Sequence, residues 1–194
     1  MHIRLITPSD ADWSVATDLI SHVFWETYHA HICNFPQELM IAKNGQNKLT
    51  AAVGLRTKDT GFFSSTYISG DLGQTMSAKL GEPVAQDQII EAVSMASVTP
   101  CAALPVMNAV IAEGRKRNMR WGLFTGTRNL RGLLLRAGLP YKKICAARPT
   151  SVTDPENWGE YYTTDPWVCA FTESKRQPIA LRPTCQTARL RGVS

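Results

Sequence analysis

Residues 88–140 alternate strand and helix patterning twice, with a punctuating residue at each boundary, and few folds accommodate such a run. Gln88 to Ser97 reads as a buried strand: Ile89, Ile90, Val93 and Met95 are apolar, and Glu91 sits among them. A helix follows, in which Val106 and Val110, and Met107 and Ile111, recur at helical spacing. Pro105 must fall in its first turn, because deeper in the helix it would cost about 3 kcal/mol. Arg120 to Thr125 is the next strand. Thr127 is placed to cap a second helix, and Gly126 is read as the residue that allows the turn, at a position needing either a positive φ or the close approach of a ligand. That helix carries Leu130, Leu133, Leu134 and Ala137 on one face. Arg128, Arg131 and Arg136 lie off the stripe, and Gly138 and Pro140 end the helix.

The flanking segments supply further layers. Ile3 to Ile6 reads as a strand, and Thr7-Pro8-Ser9-Asp10 as turn and cap for a helix from Ala11 to His31, with Val15, Leu19 and Val23, and Ile20 and Phe24, at helical spacing. Glu38 to Lys43 and Lys48 to Arg56 form a hairpin about Asn44-Gly45. Lys58 to Asp87 is less regular, with a short helix at Asp71 to Leu80. Tyr141 to Ala147 and Trp167 to Phe171 are the closing strands. This order predicts an α/β or α+β sheet sandwiched by helices. Residues 1–172 are expected to form one domain, and 173–194 a polar, basic, loose tail.

Charge divides the chain. Residues 1–97 hold six Lys/Arg against ten Asp/Glu, and residues 98–194 fifteen against six. From Arg115 to Arg148 there are ten basic residues and no acidic one. Such a stretch is either a solvated face or a field for an anionic partner. The five cysteines show no C-x-x-C pair, and the histidines lack ligand spacing, so no metal site is expected. The opening residues lack the apolar run of a signal peptide, and no window is long enough to span a membrane, so the expected location is cytoplasmic.

Three segments carry more than pattern: Gln88-Ile89-Ile90-Glu91-Ala92-Val93-Ser94-Met95-Ala96-Ser97, Arg120-Trp121-Gly122-Leu123-Phe124-Thr125-Gly126-Thr127-Arg128-Asn129-Leu130-Arg131, and Asn157-Trp158-Gly159-Glu160-Tyr161-Tyr162. In this order and spacing the chain resembles the thermostable haemolysin family from Ile3 to Phe171. That family is similar in layout to the acyl-homoserine-lactone synthases, a branch of the GNAT acyltransferases. The resemblance implies a GNAT-like mixed, mostly antiparallel central sheet with helices on both faces. It also implies acyl transfer from a pantetheine thioester, on coenzyme A or an acyl carrier protein, to a small-molecule amine, in secondary metabolism. Nothing in the sequence suggests a pore: there is no apolar hairpin or amphipathic tail.

On that layout the donor lies along the splayed ends of two strands, here Gln88–Ser97 and Arg120–Thr125. Glu91 is the expected general base, its pKa raised by apolar neighbours, and Tyr161 or Tyr162 the candidate proton donor to the departing thiolate. Donor-binding candidates are Ser97, Val98, Thr99 and Cys101 on one side, and Phe124, Thr125, Gly126, Thr127, Arg128 and Arg131 on the other. Phe24, Tyr28 and Trp158 are candidates for the substrate pocket. The alternative reading of each is structural: an ion-paired Glu91, an N-cap at Thr127, packed aromatics. The loop Thr99 to Pro105 departs from the GNAT pattern, since it lacks the glycine and arginine that grip a pyrophosphate. With the basic stretch, this points to an acidic acyl carrier protein as donor. Two other readings stand beside the acyltransferase: a binding protein that kept the fold and lost catalysis, and a transferase using aminoacyl-tRNA. The last ranks lowest, because no aromatic and basic residues interleave as in RNA-reading modules.

Overall fold

The computed structural model describes residues 1–99, 102–173 and 178–182. Seven strands form one sheet: β1 (His2–Ile6), β2 (Glu38–Lys43), β3 (Leu49–Arg56), β4 (Ile89–Ser97), β5 (Trp121–Gly126), β6 (Lys142–Ala146) and β7 (Trp167–Thr172), in the order β1-β2-β3-β4-β5-β7-β6. Among the described residues the β4–β5 pair is parallel and the other pairs are antiparallel. The parallel pair follows from the sequence, because a helix separates these strands and returns the chain to the same end of the sheet.

The helices are α1 (Trp13–Tyr28), α2 (Leu72–Leu80), α3 (Ala103–Lys116) and α4 (Arg128–Arg136). On one face, α3 and α4 bury Leu104, Met107, Ile111 and Leu134 against Ile90, Ala92, Phe124 and Phe171. On the other, α1 packs Ala16, Ile20 and Phe24 on Leu39, Ile41 and Ala52, and α2 packs Leu72 and Met76 against Ile89, Leu123 and Ala170. This is the mixed, mostly antiparallel sheet with helices on both faces that the resemblance implied.

Local chemistry accounts for most boundaries. The Asp71 side chain accepts the Gln74 N–H at 2.8 Å and caps α2, and Thr127 does the same for α4 through Leu130 N–H. Pro105 lies in the first turn of α3, as required. In the β2–β3 turn the Asn44 side chain accepts the N–H groups of Gln46 and Lys48, and the residue at positive φ is Asn47. Helix α1 is shorter than its periodicity predicted, because His29 turns into the left-handed region (φ 53) and ends it. Val15 is exposed, and Ala16 takes the inward position instead.

Beyond residue 172, the described part of the expected tail is packed. The Leu181 side chain is buried, its N–H and C=O bond to the Asn108 side chain, and Arg182 N–H donates to Ala137 O. Residues 174–177 and 183–194 lie outside the described residues. Among the described residues no helix is long and apolar enough to cross a membrane.

Candidate functional site

Beyond Ala92, β4 and β5 each follow a different neighbour. Their pairing covers only Ile89–Ala92 with Trp121–Phe124. Past that point β4 stays with β3 through Ala96 and Ser97, and β5 stays with β7 through Thr125 and Gly126. A β-bulge in β4 sets the divergence: Val93 pairs with Gly54 and Ala96 with Ala52, so Ser94 and Met95 together oppose Val53. Ser94 takes φ 49, a left-handed conformation costing roughly 1–2 kcal/mol for a residue with a side chain.

A cavity of about 990 Å³ occupies the gap. Its wall includes Ala92, Phe124 and Met107 from the α3–α4 side and Phe24, Tyr28 and Tyr161 from the α1 side, so it passes through the plane of the sheet. The volume lies in the upper range of small-molecule sites, and the position is the separation of two parallel strands, where α/β folds commonly bind ligands. Arg56, Arg128 and Arg136 line the wall against the acid Asp154, which favours anionic ligands.

Glu91 lies behind this wall. It is fully buried on β4, with the cross-strand partner Arg56 on β3. No ion pair reaches it among the described residues. Its carboxylate is held by the 3-10 turn Phe63–Tyr67: Oε2 accepts Phe63 N–H at 2.7 Å, and Oε1 accepts Ser64 N–H at 2.8 Å and the Ser64 hydroxyl at 2.5 Å. Burial raises the pKa of Glu91, and the three hydrogen bonds and the Arg56 charge only partly oppose that. The Ser64 hydroxyl also contacts the Thr125 hydroxyl at 2.9 Å, and Thr125 is on the cavity wall.

The cavity brings together Ser97, Val98, Thr99, Phe124, Thr125, Thr127, Arg128, Phe24, Tyr28, Trp158 and Tyr161. Three other candidates stand elsewhere. Tyr162 is off the wall: its hydroxyl pairs with that of Tyr67 at 2.9 Å, and its ring packs between the α1 and α2 cores. Arg131 is buried and committed to the Gly126 and Asp165 carbonyls and the Asp165 carboxylate, so it braces the β5–α4 turn. Gly126 does not take the positive φ that the sequence reading allowed for it. A Cβ there would come within 3.1 Å of the Phe124 ring, so a side chain would require that ring to shift slightly. Cys101 lies outside the described residues.

Sequence reasoning missed Ser64 and Phe63, because a carboxylate's backbone clamp leaves no periodic or motif signal. Tyr161 is buried against Phe24 and Tyr28, and desolvation pushes its phenol up. A phenol so shifted keeps its proton and can act as a hydrogen-bond donor to a ligand in the cavity, which weighs against the proton-donor role the sequence reading gave it.

A family model described as thermostable hemolysin matches residues 6–176. The chain belongs to that family. Within the matched range, the segment Asn157–Tyr162 is the clamp on the end of α1, where Glu160 N–H donates to Tyr28 O and His31 N–H to Asn157 O, each at 2.7 Å. No curated protein matches the chain by sequence. Among solved structures, the acyl-homoserine-lactone synthase LasI has a TM-score of 0.61 at 10% identity, covering 88% of this chain and 89% of LasI. BjaI, a coenzyme A-dependent acyl-homoserine-lactone synthase solved with SAM and isopentyl-CoA, gives 0.59 at 12% identity, covering 90% and 84%. FeeM, an N-acyl amino acid synthase from uncultured soil microbes, gives 0.53 at 11% identity, covering 88% and 91%. At these identities the likeness is one of fold.

Proposed function

We propose that this thermostable hemolysin family member is an N-acyltransferase, taking an acyl group from a pantetheine thioester to a small-molecule amine. The observation that carries the reading is Glu91: a desolvated, basic carboxylate without an ion-pair partner among the described residues, held behind a cavity that opens where two parallel strands separate. A structural carboxylate at such a site would be expected to pair with a cation, and Arg56 is near enough in register to have done so. Instead Glu91 is held by neutral donors, which leaves it able to take up a proton. The cavity's two sides suit two substrates, a donor along β4 and α4 and an acceptor amine on the α1 side. The synthases of similar fold join an acyl group to an amine, which agrees with this division of the site.

An acyl carrier protein is the favoured donor. The loop after β4 offers no glycine or cation for a pyrophosphate, whereas Arg128 and Arg136 on α4 line the wall and suit the single phosphate of a carrier's pantetheine arm. The basic stretch contributes less than its count suggests. Arg115, Lys116, Arg117, Arg120 and Arg131 are paired with Glu173, Glu113, Glu38, Glu82 and Asp165, and Arg128, largely exposed, lies 3.6 Å from the same Asp165 carboxylate. The expected result is faster transfer of a decanoyl group from carrier protein than from coenzyme A, with a rate that falls as salt rises, since exposed charges are screened beyond about 8 Å at physiological ionic strength. A faster, salt-insensitive reaction with decanoyl-coenzyme A would reverse the donor assignment. Tight binding of both donors without turnover would favour the catalytically inactive binding protein.

A further inference from the structure

A base that does not touch the cavity needs a path to its substrate. Glu91 is absent from the cavity wall and has no exposed surface, so an amine in the cavity cannot reach it. We infer that Ser64 and Thr125 form a two-hydroxyl relay that carries the acceptor's proton from the cavity to Glu91. This rests on the acyltransferase reading and adds two residues to it.

The direction of the relay follows from hydrogen-bond valence. An ionised carboxylate only accepts, so the Ser64 hydroxyl must donate to Glu91 Oε1. The single proton of Ser64 is then used, so at the 2.9 Å contact Thr125 must be the donor and Ser64 the acceptor. With its own proton committed inward, Thr125 presents a free lone pair, and Thr125 is the member of the chain that lines the cavity. An amine N–H there finds an acceptor, and every bond behind it already points toward Glu91. The contacts are direct, so no bridging water is required.

The step balances without a further reagent. The amine nitrogen attacks the thioester carbonyl, the C–N bond forms and the C–S bond breaks. The amine proton goes to Thr125, the Thr125 proton to Ser64, and the Ser64 proton to Glu91. Reversal of the chain returns a proton to the departing thiolate, yielding amide and thiol and restoring the starting state. The groups that surround Glu91 fit this role. From β3 Arg56 faces it, from the 3-10 turn the Phe63 and Ser64 N–H groups and Tyr67, and from β5 Thr125 through Ser64. None of these binds the carboxylate with a formal charge.

The test uses the full chain, with decanoyl-carrier protein and decanoyl-coenzyme A as donors and a panel of primary amines and amino acids as acceptors. Thr125→Val keeps the shape and removes the hydroxyl. It is expected to lower kcat by about tenfold or more, with little change in KM, and to abolish the fall in rate that Glu91 protonation causes at low pH. Thr125→Ser is expected to restore most of the loss. Combined with Glu91→Gln, Thr125→Val should add almost nothing, because both cut one path. Ser64→Ala is a poorer test, since it opens a buried donor deficit at Glu91 and puts folding at risk. Wild-type kcat and pH profile in Thr125→Val, or losses that multiply in the double variant, would overturn the relay while leaving the acyltransferase reading intact. Wild-type protein that transfers from neither donor to any acceptor would sink that reading, and the relay with it.

Discussion

Glu91→Gln is expected to lower turnover by about 10² or more, the ordinary contribution of the positioned general base proposed here. The substitution is isosteric, and Gln keeps a carbonyl oxygen for the Ser64 N–H and hydroxyl. It places an amide N–H opposite the Phe63 N–H, so one backbone donor loses its acceptor, and a loss of about 1–3 kcal/mol in stability accompanies the kinetic effect. The pH dependences separate the two roles. Burial raises the folded-state pKa of Glu91 above its unfolded value. Its contribution to stability is therefore fully present below the unfolded pKa and is lost as pH rises through the folded one. On the proposed mechanism catalysis runs the other way, because a base must be ionised: the wild-type rate is expected to climb as pH rises through the same folded pKa. The Gln variant should show neither slope. The checks are kcat against pH and urea midpoints against pH for both proteins. A Gln variant with the wild-type rate would return Glu91 to a purely structural role.

Gly159→Ala is expected to cost about 3–4 kcal/mol, or a Tm lower by about 10 °C in a chain of this size. Gly159 takes φ 47 and ψ −123, a conformation that glycine alone adopts readily. A Cβ there would lie 2.2 Å from Tyr28 O and 2.6 Å from His29 O, and these are backbone atoms that cannot rotate away. Relief requires lifting residues 157–160 off the end of α1. That breaks the Glu160–Tyr28 and His31–Asn157 backbone bonds and loosens Trp158 and Tyr161, both on the cavity wall. Gly138→Ala is the control: φ is 101, but nothing lies within 4 Å of the added Cβ, so only the conformational cost of about 1–2 kcal/mol applies. Thermal melts of the two variants give the comparison, and equal losses would show that close approach to α1 is not what the glycine serves.

How much of this was legible beforehand varied by element. The β4–α3–β5–α4 run was readable because each segment has one buried face and its ends carry local punctuation: Pro105 in a first turn, Thr127 as a cap, Gly138 beyond an end. Those are short-range requirements written in adjacent residues. Glu91 was readable for the same reason, as a charge within a strand that is otherwise apolar and buried. At Gly126 the sequence could not distinguish two needs, a positive φ or the close approach of a ligand, and the structure removes only the first. Tyr161 and Tyr162 are adjacent in sequence yet face different surroundings, a cavity wall and a hydroxyl partner on a distant turn.

From the sequence alone came the segments, the resemblance that implied their layered arrangement, and the identity of the one carboxylate worth following. Tertiary structure decided what that carboxylate can do. Ser64 is 27 residues from Glu91, and Thr125 is 61 from Ser64. Their contact depends on how an irregular turn packs over β4 and how a bulge parts β4 from β5. Neither is set by periodicity, because hydrogen bonds between loops and strands are satisfied across the fold rather than along the chain.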